Sequence, residues 1–328
     1  MKGSERAAFK YIALALLGAS ILLNHPTILL SPRKLTWGTD GRSVDDDLLP
    51  TEEVDRPKLE SINLIGERHS ATKWITSHLQ NCFGDQVQVV DRYTRYKHWF
   101  QYDDKEGDST LTRDSTIRMN YHPPGSSLVV AMFRDPYDWI DSMRKKPYHS
   151  PMHFDLDWRA FLTTPWTMER GQADKDIIRS GKTKNATCMH RFTFDELVPC
   201  SRLDRNMYNG TFHGKKVGVN YELKHDGSGL PYNSILDLRR DKILNFLDVA
   251  NFDGVAAFLP VQFEFVVTQG SGELLDEIEN ITGLQARCKR APPRTLIQKS
   301  LDDEYFAWMN DHVDWEVESR IGYSRRDS

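Results

Sequence analysis

The stretch ESINLIGERHSATKWITSHLQNCF, residues 60–83, restricts the possible folds more than any other part of the chain. A short apolar run ends at Gly66, a polar turn follows, and Trp74, Ile75, Leu79 and Phe83 then recur at helical spacing. Strand, turn and helix in that order open an α/β unit. Gly66 frees the backbone at the strand end, and the helix start offers unpaired N–H groups and a positive dipole end to an anion. Arg68, His69, Ser70, Thr72 and Lys73 supply charge and hydroxyl donors beside it. The turn is not a Walker A loop, because that pattern needs Gly in place of Ala71, then Lys and a Ser or Thr; here Thr72 intervenes and Trp74 follows Lys73. By itself the turn reads equally well as a phosphate loop or a plain helix start.

The rest of the chain continues the α/β alternation. QVQVV (86–90) and SSLVVAMF (126–133) read as strands, and DWIDSMRKK (138–146), after Pro136, reads as a helix; the order predicts a mainly parallel sheet. KKVGVNY (215–221) reads as a further strand and YNSILDLRRDKILNFLDVA (232–250) as a long helix. FEFVV (263–267) is compatible with strand or helix interior, and residues 270–283 and 303–323 carry a helical period. Residues 147–212, aromatic and Pro-rich, read as a loop-rich insertion or substrate region. No internal repeat is present.

The N-terminus differs in kind. Lys2, Arg6 and Lys10 precede an apolar run that reaches spanning length only if it continues through Asn24–Pro26 to Leu30. This predicts a cytoplasmic tail at 1–10, a signal-anchor transmembrane segment at 11–30 and an exposed stem at 31–58, ahead of a folded luminal domain at 59–328. A cleaved signal peptide, with Gly18, Ala19 and Ser20 as small residues, is the alternative. Asn185, Asn209 and Asn280 begin glycosylation triplets, and Cys82, Cys188, Cys200 and Cys288 permit one or two disulfides, Cys188 and Cys200 being spaced to close a short loop. No CxxC or local Cys/His ligand set appears, so no metal site is predicted. The formal charge of −4 gives no basis for generic nucleic-acid binding, so any anion site must be local.

A second stretch raises the weight of the first. In VVAMFRDPYDWIDSMRKK, Arg134 stands just past an apolar strand and Ser142 on the helix after it; two such strand-to-helix edges converge where ligands bind in open α/β sheets. Together RHSATKW and RDPYDWIDS resemble the sulfotransferase family, whose donor is 3'-phosphoadenosine-5'-phosphosulfate; VNYELKHD is similar to a third family segment. The resemblance spans about 59–320 and implies a P-loop NTPase-like three-layer sandwich with a central, mainly parallel sheet. It places Arg68, His69, Ser70, Ala71, Thr72 and Lys73 around the phosphosulfate and Arg134 and Ser142 at the 3'-phosphate. His69 stands where the family commonly has a catalytic Lys, and Ala71 where it has Gly.

The implied reaction is sulfonate transfer to an acceptor hydroxyl, with no metal. His98, in KHWF, is the expected general base, with His78 second, and His69 the expected partner of the leaving group. Glu222 is expected to organise the pocket. Trp99, Phe100, Tyr137 and Trp139 are aromatic candidates for stacking on an acceptor or for building the core. Anchor and sequons together imply a Golgi membrane protein, single-pass type II, acting on a carbohydrate or glycoconjugate. An inactive glycan-binding relative, a protein-tyrosine sulfotransferase and a nucleotide kinase-like enzyme are the alternatives.

Overall fold

A computed structural model of the chain describes residues 59–103, 120, 122–148, 150, 153–166, 205–212, 215–222, 224, 231–296 and 302–326, with the backbone alone at 205–212 and 215–221. The first strand, β1 (Ser61–Gly66), is wholly buried and runs into helix α1 (Thr72–Phe83). Strands β2 (Gln88–Val90) and β3 (Ser127–Phe133) follow, then α2 (Pro136–Lys145) and α3 (Trp158–Thr163). A hairpin, β4 (Arg205–Phe212) and β5 (Lys215–Tyr221), precedes α4 (Ile235–Asp248), strand β6 (Val255–Gln262), α5 (Phe263–Gln269) and α6 (Gly272–Thr282). Two C-terminal helices, α7 (Asp303–His312) and α8 (Trp315–Ser319), complete the described elements.

Four of the described strands form one parallel sheet in the order β2-β1-β3-β6, with Ile62 opposite Leu128 and Leu128 opposite Ala257. Period-two alternation sends neighbouring residues to opposite faces, and both faces are covered. Ile62, Leu64, Leu128, Val130 and Met132 pack with Ile75 and Leu79 of α1 and Leu275 and Ile278 of α6. Ile65, Val129, Ala131 and Phe133 pack on the other side with Ile243 and Phe246 of α4 and with Val317 and Ile321. The result is a three-layer α/β sandwich with a small parallel sheet, as the strand and helix order predicts. A third apolar cluster joins α2, α3 and α7 through Trp139, Ile140, Phe161, Trp166 and Tyr305.

Several expectations are refined. KKVGVNY forms a strand, but it pairs antiparallel with β4 in a separate two-stranded sheet. FEFVV is helical, and the expected C-terminal helix is two helices broken at Val313 and Asp314. Strand β6 carries Pro260, which weakens its signal in sequence; its place at the sheet edge tolerates the missing donor.

Two further expectations concern the N-terminus and the cysteines. Among the described residues no helix is long and apolar enough to cross a membrane, which conflicts with the expected signal anchor, membrane attachment and single-pass type II Golgi placement. The segments 1–10, 11–30 and 31–58 lie outside the described residues, as do Asn185, Cys188 and Cys200. The described disulfide joins Cys82 to Cys288 across a separation of 206 residues, a pairing that spacing in sequence does not suggest.

Candidate functional site

The C-terminal edge of the sheet is where the two motifs meet. Gly66 ends β1 at φ 152°, and a Cβ there would stand 2.5 Å from the Met132 carbonyl oxygen, so only glycine lets β1 lie this close to β3. The turn that follows is closed by Ser70, whose hydroxyl donates to the Glu67 carbonyl at 2.6 Å. His69 and Ala71 both adopt the left-handed region, with φ of 62° and 59°. Ala71 is the N-cap of α1 and has no side-chain cap. In consequence the backbone N–H groups of His69, Ala71, Thr72 and Lys73 meet no protein acceptor among the described residues, and they share the positive end of α1. Successive N–H groups in such a turn form an anion-binding concavity. Lys73 is exposed at its rim, and Thr72 is buried.

Arg134 joins the second motif to this turn. It follows β3 directly, and its guanidinium donates to the His69 carbonyl at 2.9 Å while lying 4.8 Å over the Phe263 ring. Asp135 caps α2 by accepting from the N–H groups of Tyr137 and Asp138, and Pro136 occupies the first turn, where its missing donor costs nothing. Ser142 lies one and a half turns further along α2, half-buried. Arg68 Nε and Arg134 Nε are buried with no hydrogen-bond partner. Buried donors of this kind normally find an acceptor, so both side chains retain capacity for an anion at this edge.

Two buried ion networks hold the turn. Glu222, following β5, takes Arg68 and Lys242 as ion-pair partners and accepts from Trp166 Nε1 at 2.8 Å. Burial pushes its carboxyl up, but Arg68 and Lys242 outweigh that and hold it well below the usual range. Glu67 pairs with Arg239 at 2.7 Å and accepts from the Arg134 N–H at 3.1 Å; Arg239 also grips Glu318 at 2.5 Å. Burial drives Glu67 up to about 7 against the pull of Arg239. For Arg239 burial opposes the charge, and Glu318 and Glu67 prevail and raise it.

Both expected catalytic imidazoles feel the charge of Arg68. His98 Nδ1 lies 2.7 Å from the Gly66 carbonyl, which can only accept, so Nδ1 carries the proton and Nε2 presents a lone pair. Burial, reinforced by Arg68, Lys97 and Lys242, keeps its pKa well below the ordinary value. His69 donates from Nε2 to the Lys146 carbonyl at 2.9 Å and packs against the Tyr148 ring. Burial lowers its pKa to about 4, so at neutral pH it adds no positive charge.

His98, His69, Arg68, Ser70, Ala71, Thr72, Lys73 and Arg134 therefore surround one turn. His78 does not belong there: it points from α1 to Ser271, 2.8 Å away. Phe100, Tyr137 and Trp139 are buried in the core beside α2 and are closed to an acceptor; Tyr96 and Tyr148 are exposed instead, next to His98 and His69. Glu67, Arg239, Lys242 and Glu318 are participants that sequence reasoning passed over. Arg239 and Lys242 sit three apart on the buried face of α4, among Ile235, Leu238, Ile243 and Phe246, and that spacing was the available signal.

The site thus gathers unpartnered backbone N–H groups, two arginines and an oriented histidine at the carboxyl edge of a parallel sheet, an arrangement suited to an anion. Comparison of the chain with family models, with curated proteins and with solved structures returned no match.

Proposed function

We propose that this protein transfers a sulfonate group from 3'-phosphoadenosine-5'-phosphosulfate to a hydroxyl of a carbohydrate or glycoconjugate, on a P-loop NTPase-like fold of the sulfotransferase type. The observation that carries the reading is the bond from Arg134 to the His69 carbonyl, which brings the two motifs of the sequence to one sheet edge. The donor supplies the sulfonyl group and departs as adenosine 3',5'-bisphosphate. The turn N–H groups, Arg68 and Lys73 hold its 5' end, and Arg134 with Ser142 holds the 3'-phosphate. His98 Nε2 takes the proton of the attacking hydroxyl as the new O–S bond forms and the bond from sulfur to the phosphate oxygen breaks. Exposed Tyr96 and Tyr148 offer ring faces to a sugar.

Neutral His69 favours a second reading, an inactive glycan-binding protein on the same fold, because the family's Lys charge has no equivalent at that position. One experiment separates the two: bisphosphate binding by calorimetry beside transfer of labelled sulfonate to a panel of glycans, phenols and tyrosine peptides. The enzyme reading expects binding and transfer, with Arg134→Ala weakening binding by about 10- to 100-fold as a charge-assisted contact is lost. His98→Ala should abolish transfer and leave bisphosphate affinity unchanged. Because His98 is already neutral, the acid limb of the rate should lie well below 6.5, the ordinary imidazole value. Binding without transfer selects the second reading, and no binding rejects both.

A further inference from the structure

Further along α1, in its last two turns, three potential metal ligands converge. His78 and Cys82 are four residues apart and so share a helix face, and Cys288 reaches them from residues 284–296, which carry no helix or strand. One ligand atom from each lies within 4.8 Å of the others, and His78 Nε2 is 3.9 Å from Cys82 Sγ. Bonds of about 2.3 Å to sulfur and 2.0–2.1 Å to nitrogen, set at a tetrahedral angle on one zinc ion, would hold those two atoms about 3.6 Å apart. The His–Cys separation is therefore within a few tenths of an ångström of the zinc distance, and on binding His78 Nε2 would exchange its present partner, Ser271 Oγ at 2.8 Å, for the ion. Cys82 is buried, whereas His78 and Cys288 are half-buried and give an ion access.

The segment bearing Cys288 is also held in place by contacts other than the disulfide. Arg287 N–H donates to the Cys82 carbonyl at 2.8 Å, and Gln86 exchanges two bonds with the Gln285 backbone, at 2.6 and 3.2 Å. Arg287 pairs with Asp85 at 2.5 Å. Ser271 and Ala291 close a further pair, N–H to carbonyl at 3.0 Å and Ala291 N–H to Ser271 Oγ at 2.8 Å. Breaking the S–S bond leaves these contacts in place, so two free sulfurs would remain beside His78.

We propose that Cys82, Cys288 and His78 form a redox-gated zinc site, closed while the disulfide is intact and opened by its reduction. Two electrons from a dithiol, which becomes a disulfide, convert Cys82–Cys288 to two thiols; zinc then binds both sulfurs and His78 Nε2, releasing two protons, with water as fourth ligand. A soft, borderline cation suits two thiolates and an imidazole, and calcium or magnesium does not. The site is independent of the proposed sulfonate transfer.

The test uses the full chain carrying Cys188→Ser and Cys200→Ser, so that only this pair of thiols responds. Oxidised and phosphine-reduced samples are titrated with zinc against a chromophoric indicator, and with cobalt for its spectrum. Expected are one zinc per reduced chain, bound about 100-fold or more tighter than by the oxidised chain, and a cobalt spectrum with thiolate charge-transfer and tetrahedral bands. His78→Ala keeps both thiols and should lose most of that affinity, which separates a folded site from thiols on an unfolded chain. Equal zinc uptake by reduced His78→Ala, or no gain on reduction, overturns the proposal.

Discussion

At the residue scale, charge burial sets how the Glu67–Lys73 turn responds to pH. His69 has an ordinary value of 6.5 and a native value of about 4, so between them the unfolded chain binds a proton that the native turn refuses. Its contribution to stability is therefore complete above 6.5 and declines as pH falls toward 4. Glu67 acts oppositely: raised from 4.5 to about 7, it keeps a proton that the unfolded chain releases, and stability declines as pH rises through that window. Denaturant midpoints followed across the acid-to-neutral range should show His69→Asn losing the acid-side decline and Glu67→Gln losing the opposing one. Identical profiles for wild type and both variants would remove these groups from the linkage. Sequence marks His69 by its motif, but its neutrality comes from burial, with Arg134 and Arg68 adding to it, against the bond to the Lys146 carbonyl, which favours the proton.

At the scale of the element, α1 begins at a strained residue. Ala71 holds φ 59° and ψ 19°, a conformation that suits glycine and costs an L-residue roughly 1–2 kcal/mol. Glycine at that position would relieve the strain and give back about 0.4–1 kcal/mol through the freer unfolded chain. Ala71→Gly should thus stabilise the protein by about 0.5–1 kcal/mol, read as a shift in urea midpoint at constant slope. A loss of stability would mean that the Ala71 methyl makes a contact worth more than the strain. Alanine thus stands here on a backbone of the conformation that glycine adopts most readily. Helix α1 itself is legible because Ile75, Leu79 and Phe83 form one buried stripe. By contrast, the period was not enough to separate α7 from α8, since Asp314 caps a new helix within a continuous amphipathic pattern.

Across the whole molecule, Cys82–Cys288 is the longest covalent constraint described, closing 206 residues and tying α1 to the segment after α6. Loop-closure entropy alone would give a bond of that span about 5 kcal/mol, and disulfides typically deliver about 2–4 kcal/mol. In zinc-free buffer with chelator, Cys82→Ala/Cys288→Ala should lower unfolding free energy by that amount; an unchanged midpoint would show that the contacts around Arg287 and Gln285 suffice alone. The sequence by itself determined the strand–turn–helix units, the parallel sheet and the two motifs, because hydrophobic period, glycine placement and helix-start chemistry are local. Only the tertiary structure decided that Glu67 pairs with Arg239, that Glu222 holds Arg68 and Lys242, that His78 lies away from the Glu67–Lys73 turn, and which cysteines meet. Each of those depends on residues far apart in the chain arriving at one buried point, where the cost of an unpaired charge, not any local pattern, selects the partner.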